Sequence, residues 1–195
     1  MRVVVRNDRR NPVTMAASNS NMIYTIGYGN RSLDGFVVLL KKFKFDYLID
    51  IRSSPYSRYN NSFNSENLRR ELKTHKIGYV LMGQQLGGRP DNSIYYVDGK
   101  VDYGLLCQAD FYQQGISRLN LALEKGYIVT LMCSELKPHE CHRSKLIGKT
   151  LANNNIQVMH IDEKGDLRTQ EEVIDILTDH QMTLFDFTSR KKYRA

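Results

Sequence analysis

The stretch Met132-Cys133-Ser134-Glu135-Leu136-Lys137-Pro138-His139-Glu140-Cys141-His142-Arg143 brings thiols, imidazoles, carboxylates and cations into one short segment. It joins an apolar strand, Tyr127 to Met132, to a helix from His142 to Ala152. A thiol at a helix start feels the positive end of the macrodipole and free backbone N–H groups, and Arg143 and His142 push the same way, toward thiolate. Cys141 is therefore one candidate nucleophile. Cys133, ending the strand, is its rival, with His142 or Glu135 as acid or base. The same N–H groups, with Arg143, can instead bind a phosphate or carboxylate. The plainer reading is packing, since free cysteine is among the most buried residue types. A further reading makes Cys133, His139, Cys141 and His142 ligands of one metal ion. Their spacing is not the usual pair of short-spaced couples, so no metal is assigned.

A second constellation is Asp50-Ile51-Arg52-Ser53-Ser54-Pro55-Tyr56-Ser57-Arg58. Period-two alternation sends Asp50 and Arg52 to one face at the strand end, where they pair or share a ligand. Guanidinium matches phosphate with bidentate geometry, so Arg52, Arg58 and Arg143 together predict an anion clamp. The plainer account of Asp50 and Arg52 is an ion pair closing the sheet edge. Gly27-Tyr28-Gly29-Asn30-Arg31 and Leu86-Gly87-Gly88-Arg89 repeat the theme of glycine turns beside arginine, which adds Gly27, Gly29, Gly87, Gly88 and Arg89 to the anion-binding candidates.

These groups need a frame. Apolar β-rich runs alternate with helix-period stretches, which predicts a three-layer α/β domain with a mostly parallel five-stranded sheet and helices on both faces. The strands are Tyr24 to Ile26, Tyr47 to Ile51, Tyr79 to Leu81, Tyr127 to Met132 and Val158 to Ile161. Ser32 caps a helix whose Leu33, Phe36, Val37, Leu40 and Phe43 recur at helical spacing. Further helices follow over Asn67 to Thr74 and Phe111 to Glu124. Asn153 to Asn155 stop the helix after His142, and Thr169 with Glu172 forms a capping box for a last one. Gln84 to Lys100 has the turn chemistry of a long surface loop. The Tyr127 to Met132 run is the most apolar, hence central, and ligands of open α/β sheets bind outside the carboxyl ends of the strands.

The chain of 195 residues is long enough for one core without a disulfide or metal staple. We read residues 1–21 as a disordered arm, 22–188 as the domain and 189–195 as a basic tail. A net charge of +7 favours anionic partners. Three cysteines are an odd count, which suits the reduced thiols of a cytoplasm better than a secreted disulfide framework. No apolar run is long enough to cross a bilayer, so no membrane role is expected.

Thr25-Ile26-Gly27-Tyr28-Gly29 with Ser32, Asp50-Ile51-Arg52 with Pro55, Ser57 and Arg58, Leu86-Gly87-Gly88, and Cys133-x-Glu135 with Cys141-His142-Arg143 resemble, in that order, the family called domain of unknown function 488. The resemblance spans Met22 to about Asp162 and implies a Rossmann-like α/β fold and an intracellular protein. The family's first motif usually reads Gly-His-Ser, whereas Tyr28 and Gly29 stand here, so that histidine has no general catalytic role. A looser likeness is to rhodanese domains, which also pair an Asp-x-Arg strand end with a cysteine ending a later central strand. That likeness implies Cys133 as the sulfur-carrying residue. The leading expectation is a thiol-dependent enzyme acting on a phosphate-bearing substrate, a nucleotide or nucleic acid. The alternatives are a nucleic-acid-binding accessory protein without chemistry and a Cys/His metal-binding protein. The residues name no cofactor.

Overall fold

The computed structural model describes residues 21–179. The tail at 189–195, and all of the arm but Asn21, lie outside the described residues. In chain order the strands are β1 (Met22–Gly27), β2 (Tyr47–Asp50), β3 (Gly78–Leu81), the short β4 (Tyr96–Val97) and β5 (Lys100–Val101), β6 (Val129–Cys133), β7 (Gln157–Ile161) and β8 (Leu167–Thr169). The α-helices are α1 (Leu33–Lys42), α2 (Ser65–Thr74), α3 (Gly83–Leu86), α4 (Tyr103–Leu106), α5 (Asp110–Glu124), α6 (Lys149–Asn153) and α7 (Gln170–Asp179).

One sheet runs in the order β3-β2-β6-β1-β7-β8. All its neighbouring pairs are parallel except β7 with β8. The sheet thus has six strands, not five. β8 is a three-residue antiparallel edge whose side chains are all half-buried, so it lacks the apolar alternation that marks a strand in sequence. β6 lies between β1 and β2, and each of its residues is buried, as a strand covered on both faces requires.

Alternation sorts the core onto the two faces. Ile23, Ile49, Leu131 and Val158 meet Tyr112, Ile116 and Leu119 of α5 on one side. Tyr24, Ile26, Leu48 and Met132 meet Phe36 and Leu40 of α1 and Leu68 and Leu72 of α2 on the other. The Ser32 side chain accepts from the Gly35 N–H at 3.1 Å, so α1 begins where its cap predicts. Thr169 and Glu172 form the reciprocal capping box before α7.

Two connections differ from the sequence reading. Within Gln84 to Lys100, β4 and β5 form a hairpin around Asp98 and Gly99, with φ of 50° and 74°. Two positive φ angles in succession are what a tight hairpin turn between right-twisted strands demands, and Asp-Gly supplies them. After His142 the chain makes a π-helical segment, Arg143–Gly148, before α6. Such widened turns occur frequently at functional sites.

A buried polar relay ties this segment to the sheet. Gln170 Nε2 donates to the Ser144 carbonyl at 3.1 Å, which leaves Gln170 Oε1 as acceptor for His160 Nε2 at 2.7 Å. His160 Nδ1 then accepts from the Thr25 hydroxyl at 2.7 Å. Burial, reinforced by the charge of Arg143 though opposed by Gln170, pushes His160 down to about 4. The unfolded chain takes up this proton below about 6.5, the folded one only near 4. Stability is therefore expected to fall as pH drops through that window, by up to about 3 kcal/mol. Urea midpoints at pH 7 and pH 4.5 check this. If His160→Gln shows the same pH slope as the parent protein, the assignment fails.

Candidate active site

β6 delivers Cys133 to the carboxyl end of the sheet, and the loop that follows folds back so that Cys141 and His142 return beside it. Cys133 Sγ stands 2.8 Å from Glu135 Oε2 and 3.6 Å from His142 Nδ1. Cys141 Sγ stands 3.5 Å from the same Nδ1 and accepts from the Arg143 N–H at 3.4 Å. Both cysteines are buried and reduced. His142 Nε2 is buried without a partner among the described residues.

The electrostatics separate the two thiols. Burial opposes ionisation of Cys133, but the hydrogen bond with Cys141, the charge and bond of His142 and the bond with Glu135 outweigh it and hold Cys133 well below the usual thiol range. Burial and the neighbouring Cys133 push Cys141 well above that range. For His142, burial works against protonation, and the Cys133 charge more than compensates, so it is raised. Burial and Cys133 also raise Glu135 above ordinary carboxyls. Of the two thiols that spacing leaves open, the surroundings of Cys133 favour the thiolate and those of Cys141 the protonated form.

Arg143 frames the loop. It is fully buried, its Nη1 and Nη2 donating to the carbonyls of Glu135 and Leu136 at 2.6 and 2.9 Å. These bonds fix the chain between the two cysteines and engage both terminal nitrogens of the guanidinium with the loop. Gly27 lies against this loop: a Cβ there would overlap the Glu135 carbonyl and meet Arg143 Nη1 at 2.5 Å. Gly29, at φ 47°, packs on Leu136, and its N–H donates to the Ser134 carbonyl at 2.9 Å. Across the site, α3 and the residues after it approach β2. A Cβ at Gly87 would overlap the Gly83 carbonyl, and one at Gly88 would stand 2.7 Å from His142 Cγ. These glycines provide close approach of backbone to the site, a different role from holding an anion.

Asp50 and Arg52 close the neighbouring strand on the opposite face of the sheet. Arg52 Nε donates to Asp50 Oδ1 at 2.9 Å and its Nη2 to Oδ2 at 2.6 Å, with a further bond from Nη2 to the Phe63 carbonyl at 2.8 Å. The Tyr79 hydroxyl donates to Asp50 Oδ2 at 2.6 Å. The Arg52 guanidinium lies over the Tyr28 ring, 5.2 Å from its centroid, and Tyr28 stacks on Phe63 at 4.4 Å. Tyr28 thus builds the bed for this arginine. Arg52 is 3 % exposed and fully engaged but for Nη1.

The sequence candidates therefore divide. Cys133, Glu135, Cys141 and His142 converge. Arg143, Gly27 and Gly29 hold their loop, Gly87 and Gly88 cover it, and Asp50 and Arg52 form a separate buried pair. Arg58 and Arg89 are exposed, and the Arg89 N–H donates to Ser53 Oγ at 3.0 Å. Of the four metal candidates, Cys133, Cys141 and His142 offer atoms within 4.8 Å of one another, and His139 is outside that group. Sequence reasoning passed over Tyr79, Phe63 and Gln170, whose types are unremarkable and whose roles come only from tertiary placement.

No helix among the described residues is long and apolar enough to cross a membrane. No curated protein and no solved structure gives a significant match to the chain. The model of the family described as domain of unknown function DUF488 matches residues 32–149, a span that takes in Asp50, Arg52, Gly87, Gly88 and the whole segment from Cys133 to Arg143. That match covers more than half of the sequence, and the chain belongs to this family.

Proposed function

We propose that the protein is a thiol-dependent enzyme in which Cys133 is the nucleophile and the substrate carries a phosphate, as a nucleotide or nucleic acid does. The observation that carries this reading is the 2.8 Å contact between Cys133 Sγ and Glu135 Oε2 at the end of the central strand. One proton lies between a sulfur and a carboxyl that both sit in a water-poor site. With that proton on Glu135, the sulfur lone pair attacks an electrophilic atom of the substrate, the bond to the leaving group breaks with its electron pair, and Glu135 protonates the departing atom. The Glu135 carboxylate so formed then serves as base for the water or acceptor that releases Cys133. His142 balances the sulfur's charge before attack, and its unpartnered Nε2 is a donor for a substrate oxygen.

The phosphate half of the reading rests on charge. The chain carries +7, and the exposed Arg89 directly follows Gly88, which packs against the His142 ring; both support an anionic substrate. A reducing cytoplasm suits the free thiols.

Alkylation with neutral iodoacetamide and anionic iodoacetate, read at each cysteine by peptide mass spectrometry, tests both halves. Cys133 is expected to react at least about tenfold faster than Cys107, and to favour iodoacetate in an Arg89-dependent, salt-sensitive manner. Cys133 reacting no faster than Cys107 would remove the thiol enzyme. Fast reaction without preference for the anion would remove the phosphate.

A further inference from the structure

We propose that Cys133, Cys141 and His142 also form a binding site for a soft divalent cation, zinc above all, and that its occupation switches the thiol centre off. The inference rests on the thiol reading above and names a regulator of that same site. Its basis is geometric. With Zn–S of about 2.3 Å and Zn–N of about 2.0 Å at the tetrahedral angle, a sulfur and a nitrogen on one zinc stand about 3.5 Å apart. His142 Nδ1 stands 3.6 Å from Cys133 Sγ and 3.5 Å from Cys141 Sγ, and all three atoms fall within 4.8 Å of one another. A single ring nitrogen equidistant from two sulfurs cannot donate its one proton to both. A cation at the centre of the triangle satisfies all three atoms at once.

The ligand chemistry selects the ion. Two thiolates and an imidazole suit zinc or copper(I) and reject magnesium and calcium, which take oxygen. Three protein ligands leave the fourth tetrahedral position to water. Glu135 does not belong to the triangle, and its Oε2 lies 2.8 Å from Cys133 Sγ. The scaffold is set for the purpose: Arg143 clamps the Glu135 and Leu136 carbonyls, and Gly88 presses on the His142 ring, so the ligands need little rearrangement. Coordination replaces the proton of the Cys141 thiol and any proton on His142 Nδ1, which pass to solvent. It also ties up the Cys133 lone pair that attack on a substrate would use.

The test uses the full chain, freed of metal by a chelator and then titrated with zinc or cobalt(II) alone. One zinc per chain is expected, with iodoacetamide labelling of Cys133 slowed at least about tenfold. Cobalt is expected to give the intense visible bands of a tetrahedral ion with a thiolate charge-transfer band. Cys141→Ser and His142→Gln should each weaken zinc binding at least about tenfold, by the ligand rule for such sites, while Cys107→Ser leaves it unchanged. Zinc that binds equally well to the Cys141 and His142 variants, an octahedral cobalt spectrum in the parent protein, or labelling that zinc does not slow would each overturn the site. Labelling of the metal-free chain tests the thiol reading separately. Fast labelling with no zinc effect sinks the cation site alone, whereas slow labelling of the metal-free chain with tight tetrahedral zinc sinks the thiol enzyme and leaves the cation site standing.

Discussion

Arg143→Ala is expected to cost about 3–5 kcal/mol of stability, from carbonyls left unpaired at about 1–3 kcal/mol each together with the cavity left by a large buried side chain. Arg143 is the largest fully buried side chain described, and it donates to two backbone carbonyls of the loop. Its removal leaves the Glu135 and Leu136 oxygens unpaired and opens a void beneath Gly27, so desolvation and cavity costs add. Urea unfolding monitored by circular dichroism measures the loss. Because the same bonds hold the loop between the cysteines, Cys133 should also lose its fast alkylation. Arg143→Lys should recover only part of both, since an ammonium cannot span two carbonyls with a planar fork. A loss below about 1 kcal/mol, the size of an ordinary surface change, would show that the loop is held by something else.

Asp50→Ala should be comparably damaging, about 3–5 kcal/mol, for a related reason. The carboxylate accepts from the Arg52 side chain, from the Arg52 N–H at 3.1 Å and from Tyr79. Without it a buried guanidinium keeps only the Phe63 carbonyl as acceptor and loses its counter-charge, and the Tyr79 phenol loses its acceptor. The double variant Asp50→Leu with Arg52→Met is expected to be much closer to the parent protein, because replacing both members of a buried pair by apolar groups removes the stranded charge. If the double variant is as unstable as the single one, the pair contributes through shape and not through charge.

The parallel strands and the central place of β6 were legible because apolar runs bounded by turn residues carry their own period. Thr169 with Glu172 and Ser32 with Gly35 were legible for the same reason, since capping is a local contract between residues three apart. β8 was not, because its residues are half-buried and its pairing with β7 is decided by the turn at 162–166. The Asp98-Gly99 hairpin was written in the sequence and was overlooked within a longer loop. In the site, proximity of Cys133 to Cys141 and His142 followed from their spacing. The roles of the arginines did not, because charge alone does not say whether a guanidinium faces solvent or carbonyls. Arg52 and Arg143 read as anion binders on type, and the structure gives both buried partners within the protein that type alone does not reveal. The family glycines show the same limit: their positions were clear, and the backbone approach that requires them appears only in three dimensions.

The strand order has a consequence for how the chain is made. Among the described strands β1 and β2 are made first, yet neither pairs with the other, and the slot between them belongs to β6. Until residue 133 has emerged, β1 has neither of its partners and the central ladder cannot form. Only β2 with β3 can pair before then, and the rest of the sheet must assemble late, from contacts far apart in sequence, which makes this a slow-folding topology. The growing chain is most exposed to misassociation while β1 and the free edge of β2 wait for β6.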